Sequence, residues 1–154
     1  MTIAIAAVAL AVSVSTFAAT WWRDKRDLLL QVHDRLTTAD QQRGRRLVYV
    51  MRDRGTGPEK LSADEHELIN SALAAFNTLG IYYHRRYVRR QDVMDLWDAS
   101  LVRIMSAAGP FLAHRGAAAD GPTWPYLFVL ADDARDYLRR QGIDPAEIEA
   151  PRQP

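Results

Sequence analysis

The sequence predicts an all-α chain: a single N-terminal transmembrane helix followed by a small four- to five-helix domain. Three observations lead there. The first 22 of 154 residues carry no charged side chain, and all 20 Lys and Arg and all 19 Asp and Glu follow Trp22. Beyond that point apolar residues recur at spacings of three and four, the period of an amphipathic helix. No run of alternating β-branched residues is long enough for a strand, although Ile81 to Tyr83 is a brief candidate.

The stretch from Thr2 to Trp22 is predicted to span a bilayer. At 1.5 Å per residue its 21 uncharged residues cover about 30 Å, the thickness of the hydrocarbon layer. Trp21 and Trp22 then supply an interfacial aromatic pair, and Arg23, Lys25 and Arg26 a basic stop. A cleaved signal peptide and a buried core helix are the rival readings. The signal peptide lacks a basic leading region, and a core helix at a chain's extreme end rarely runs so long without a charge. No Lys or Arg precedes the segment, so the positive-inside bias predicts a single-pass inner-membrane protein with its N-terminus outside and its helical domain in the cytoplasm. Within the segment Ala7, Ala11, Ser15 and Ala19 recur every fourth residue. They make a narrow face of small side chains on which a second copy could pack.

The next stretch, residues 23–38, is predicted to extend that helix, with Leu28, Leu29, Val32 and Leu36 as its apolar stripe. A cytoplasmic domain over 39–141 and a flexible tail over 142–154 complete the organisation. Thr37, Thr38 or Asp40 can cap a helix holding Leu47, Val48 and Met51, slightly weakened by Gly44. Gly55, Gly57 and Pro58 mark a loop. Ser62 with Glu65 forms a capping-box pattern ahead of Ile69, Leu73, Phe76 and Leu79, and Gly80 is expected to end or bend that helix. Asp92 opens another helix with Val93, Leu96 and Trp97, with a break expected near Asp98 to Ser100 and a turn at Pro110. Residues 116–125 read as the longest loop. A last helix from Pro125 to Arg140 ends before Gly142, a C-terminal cap, and the chain beyond it reads as frayed.

The balance of charges argues against a nucleic-acid binder acting through net charge. The absence of cysteine excludes disulfides, thiolate metal sites and cysteine nucleophiles. His33, His66, His84 and His114 include no pair at a metal-binding helical spacing, so no metal and no cofactor are expected. Asp132 and Asp136 share a helical face, where carboxylates can hold Mg²⁺ or divide acid and base roles. Interleaved arginines make a salt-bridged surface the plainer reading of that face. The densest oddity is Tyr82 to Arg90, where Arg85, Arg86, Arg89 and Arg90 mix with three tyrosines. Together with Arg23, Lys25 and Arg26 they could meet anionic lipid or another polyanion, or simply face water.

The stretch from Asn70 to Leu138, including NTLGIYYHRRYVRRQDVMDLWDASLVRIM, the turn at Pro110, Arg115 and TWPYLFVLADDA, resembles a bacterial family of small membrane-anchored proteins of unknown function, the DUF4760 family. The resemblance implies an N-terminal hydrophobic helix followed by a helical domain, and no residue roles. The expected function is therefore that of a membrane-tethered protein-interaction or self-association module. Its expected partners are the lipid bilayer and either another protein or a second copy, with no nucleic acid. The alternative is a small membrane-associated hydrolase or transferase using Asp132, Asp136 and a histidine.

Overall fold

The computed structural model describes residues 2–118 and 123–150, with the side chains at 2–9, 11, 18 and 118 outside that description. Six α-helices and one 3-10 turn follow in order: α1 (Thr2–Leu36), α2 (Ala39–Asp53), the turn Pro58–Lys60, α3 (Ala63–His84), α4 (Arg90–Ala118), α5 (Pro125–Arg140) and α6 (Pro145–Glu149). There is no strand among the described residues, and Ile81 to Tyr83 belongs to α3.

The transmembrane reading is corrected. Among the described residues no helix is long and apolar enough to cross a membrane. The uncharged segment is helical from Thr2 to Trp22, and the same helix runs straight on into Arg23, Asp24, Lys25, Arg26 and Asp27. The segment is also diluted by hydroxyls, and Thr16 and Thr20 donate to the carbonyls of Val12 and Thr16 at 2.8 and 2.9 Å. The single-pass inner-membrane assignment, the outward N-terminus and the cytoplasmic placement of the domain rested on that span and fall with it.

The domain is built around α3. The capping box forms: the Ser62 hydroxyl accepts from the Glu65 N–H at 3.3 Å and the Glu65 carboxylate from the Ser62 N–H at 2.9 Å. That carboxyl is held below its ordinary range, first by its bond to the Ser62 backbone. Ile69, Leu73, Phe76 and Leu79 are fully buried along the helix. They meet Val48 and Met51 of α2, Val93, Leu101 and Ile104 of α4, and Leu127, Leu130 and Leu138 of α5 in one continuous core. Among the described side chains of α1, Leu29, Val32 and Leu36 are buried in that core.

Two glycines set the spacing of these helices. Gly44 does not merely weaken α2. It is buried where α2 crosses α3, and a Cβ there would collide with the Leu68 carbonyl oxygen. Gly80 neither ends nor bends α3, which runs on to His84. A Cβ there would collide with the Tyr126 carbonyl at the start of α5. The same approach supplies a cap across helices. Asn77 Oδ1 accepts from the N–H groups of Tyr126 and Leu127 at 3.1 and 3.2 Å, replacing the side-chain cap that α5's own N-cap residue, Trp124, does not make.

Three boundaries differ from the sequence reading. Helix α4 continues through Asp98 to Ser100 and carries Pro110 inside it. Gly109 and Pro110 are exposed, so the bond the proline removes is lost on the solvent side. The same helix takes in Gly116, which shortens the predicted loop; residues 119–122 of that loop lie outside the described residues. The start of the predicted tail is ordered as well. Gly142 at φ 77° donates to Arg139 O and Ile143 to Leu138 O, each at 3.0 Å, closing α5 with a Schellman motif. Asp144 then caps α6, Pro145 is buried, and Glu149 bonds Arg135 at 2.8 Å.

Alanine is the better helix former by about 1 kcal/mol, yet Gly44→Ala and Gly80→Ala should each lower stability by about 1–3 kcal/mol, because rigid backbone stands in the way. Gly116→Ala, where the added methyl meets nothing, should raise it by about 0.5–1 kcal/mol. Urea unfolding of the three variants checks the contrast.

Candidate functional site

Tertiary structure brings together two basic segments about sixty residues apart in the chain. Beyond the buried stripe, α1 runs past the α3–α4 turn and leaves a cleft on each side. One, of about 510 Å³, is walled by Trp22, Arg23, Arg26 and Leu30 from α1 and by Arg89 and Asp92 from the other segment, with Lys25 and Asp27 also lining it. The other, of about 520 Å³, is walled by Trp21, Lys25 and Leu28 against Arg85, Arg86 and Tyr87, with Asp24 also lining it. Lys25 is common to both. The formal charge of the lining is +4 and −2 in the first cleft and +3 and −1 in the second, a surplus of two positive charges in each.

The two tryptophans meet edge to face with centroids 6.3 Å apart. Each carries a cation: Lys25 Nζ lies 3.9 Å from the Trp21 ring centroid, and the Arg89 guanidinium 5.1 Å from that of Trp22. Arg89 also stands 3.7 Å from Asp92. Hydrogen bonds that it donates to Tyr87 and Tyr126 hold the Arg85 guanidinium above its ordinary pKa, Tyr87 being the larger influence. No described carboxylate lies within ion-pair distance of Arg23, Arg26 or Arg86.

The turn that presents these arginines is itself strained. Arg86 N–H donates to Tyr83 O at 3.1 Å and Tyr87 N–H to Tyr82 O at 2.9 Å, the two bonds of a Schellman motif closing α3. Its left-handed position, φ 58°, is the one that glycine normally fills, and here it is Arg86. An L-residue there costs about 1–2 kcal/mol.

Arg90 parts company with its neighbours. Its guanidinium lies over Tyr83 at 4.9 Å, in a polar cleft of about 270 Å³ shared with Asp133, Asp136 and Arg140. Asp136 pairs with Arg139 at 2.7 Å and Asp132 with Arg135 at 2.7 Å. No histidine lines that cleft. His33 rests against Trp97, His84 against Tyr126, and His66 beside Phe111 and His114. Among the described residues no group of three His, Asp or Glu side chains could hold a metal ion.

A polar network on the same side of the domain had no sequence signal. The Tyr137 hydroxyl donates to Asp95 Oδ1 at 2.5 Å, and Gln91 Nε2 donates to both, at 2.9 Å to Asp95 and 2.8 Å to Tyr137. Asp95 raises the Tyr137 pKa. Only the packing of α5 on α4 joins residues so distant in sequence. Of the small-residue face, Ser15 and Ala19 are exposed, while the side chains of Ala7 and Ala11 lie outside the described residues. No family model matches the chain, and no curated protein and no solved structure matches it, so no residue role comes from a relative.

Burial, and then the Asp133 carboxylate, push the Tyr83 phenol up from 10.0 to about 12. The folded chain keeps that proton where the unfolded chain has lost it, so the Tyr83 contribution is intact below pH 10 and lost as pH rises toward about 12. Tyr83→Phe should therefore lose less stability than the parent across that window, by up to about 2 kcal/mol. Urea unfolding at a series of alkaline pH values checks it.

Proposed function

We propose that this chain is a self-associating helical interaction module whose copies meet through the N-terminal half of α1. The observation that carries the reading is a long helix with large apolar side chains and nothing of its own domain upon them. Leu10, Val12, Val14 and Phe17 are 59–74 % exposed, whereas the described side chains by which α1 meets the core are those from Leu28 to Leu36. Leu10, Val14, Phe17 and Trp21 fall at intervals of four, three and four, the spacing of a two-helix seam. Such a seam is complementary to itself, so a second copy is its simplest occupant. Ser15 and Ala19 lie on another side of the helix, so the contact uses large side chains in preference to close backbone approach.

The energies are of the right size. Burying a Leu, Val or Phe contributes about 1.5–3 kcal/mol, and three from each of two chains match the roughly 4–15 kcal/mol lost in association. The enzymatic alternative has less support, since Asp132 and Asp136 are both paired with arginines and no histidine approaches the Asp136 cleft.

The full-length chain should sediment as a dimer that dissociates on dilution, and Leu10→Glu with Phe17→Glu should leave a folded monomer. The chain has no cysteine, so Val14→Cys is a clean reporter. In a parallel pair it stands opposite its own copy across the seam, where mild oxidation should crosslink it. A chain that sediments as a monomer at every concentration, with no crosslink, overturns the reading.

A further inference from the structure

The two clefts beside α1 lie at the junction with the domain, beyond the seam except for Trp21, which belongs to both. We infer that together they form one binding site for a ligand carrying two or more phosphate groups, gripped from both sides of α1 through the shared Lys25. Four observations converge on it. The clefts hold cations from two distant segments, which a merely solvated helix face does not require. Among the described residues Arg23, Arg26 and Arg86 have no carboxylate partner, in a chain whose net charge is only +1. Arg86 occupies a left-handed cap position that any glycine would fill with less strain, and strain of that kind collects where a side chain is needed for something other than folding. Finally, each cleft is large enough for a ligand rather than a lone ion.

The chemistry narrows the ligand class. Guanidinium groups present planar forks of donors that match phosphate oxygens two at a time. Asp24, Asp27 and Asp92 also line the clefts and repel anions, so a single weak charge such as a carboxylate gains little. A group with several charges along its length can engage the cations of both clefts by way of Lys25, which lines each of them. The phosphates could belong to a soluble polyphosphate or to a phosphorylated lipid headgroup, which present the same oxygens to the same donors.

The test uses the full-length chain and two probes. Inorganic tripolyphosphate, followed by calorimetry and by the fluorescence of Trp21 and Trp22, represents the soluble source. Phosphatidylcholine vesicles containing phosphatidylinositol bisphosphate represent the headgroup, with phosphatidylserine vesicles of equal total charge as the comparison. Saturable binding of tripolyphosphate, or a preference for the bisphosphate vesicles over those of equal charge, supports the site and tells the sources apart. In either arm Arg23→Gln with Arg26→Gln, and separately Arg86→Gly, should weaken binding by about tenfold or more, as loss of charge-assisted bonds does. Arg86→Gly should at the same time raise the thermal midpoint by relieving the strained cap, which separates lost binding from lost structure. Arg90→Gln, in the other cleft, should bind as the parent does. No binding in either arm, or binding that these arginine variants leave unchanged, overturns the proposal. It stands or falls apart from self-association, since Leu10→Glu with Phe17→Glu leaves both clefts untouched.

Discussion

Close approach of helix backbones around α3 is the constraint on which the rest of this structure depends. Gly44 lets α2 lie against the Leu68 carbonyl, and Gly80 lets the start of α5 lie against α3 itself. With those two contacts fixed, Ile69, Leu73, Phe76 and Leu79 are surrounded on all sides, and Asn77 comes within reach of the α5 N-terminus to satisfy two N–H groups that have no partner in their own helix. Packing and polar satisfaction thus rest on the same two missing methyl groups. A side chain at either glycine would move a whole helix, because a helix yields as a rigid body far more readily than its backbone deforms.

Arg45 makes the corresponding joint for α1. Its Nη1 donates to the Leu36 carbonyl at 2.6 Å, and its guanidinium lies 5.7 Å from the rings of both Phe76 and Trp97. Burial lowers its pKa, an effect Tyr49 partly opposes. One cation therefore closes the C-terminus of the long helix, where its dipole favours positive charge, and packs against the centre of the core. This joint, with the buried Leu29, Val32 and Leu36, fixes the direction in which α1 leaves the domain. It brings Arg23, Lys25 and Arg26 past the α3–α4 turn and leaves Leu10, Val12, Val14 and Phe17 uncovered.

Charge is organised locally in a chain that is nearly neutral as a whole. On α5 two arginines are neutralised, Arg135 by both Asp132 and Glu149 and Arg139 by Asp136. The carboxylates around the α1 clefts do not balance their cations in the same way. Exposed ion pairs of the α5 kind contribute little to stability. Their effect is to leave the surplus positive field concentrated beside α1, while Arg90, unlike Arg85, Arg86 and Arg89, lies in the cleft of Asp133 and Asp136.

The sequence by itself determined the helical class and several ends of helices, because those signals are local. The Ser62–Glu65 box, the Gly142 cap and the apolar stripes of α1 and α3 each depend on residues a few positions apart, and a short segment carries the whole interaction. It could also be misread locally. A charge-free run suggested a membrane span, and Gly80, Asp98 to Ser100 and Pro110 suggested breaks, because composition and propensity say nothing about what will lie opposite. Tertiary structure decided the rest. Whether a glycine interrupts a helix or admits another one depends on the partner's backbone. The pairing of Asp95 with Tyr137, the parting of Arg90 from Arg86, and the meeting of Arg23 with Arg89 are equally invisible in the chain, since each joins residues from different helices. Helix directions and rotations bring them together, and these are set by the summed packing of the core rather than by any short stretch of sequence.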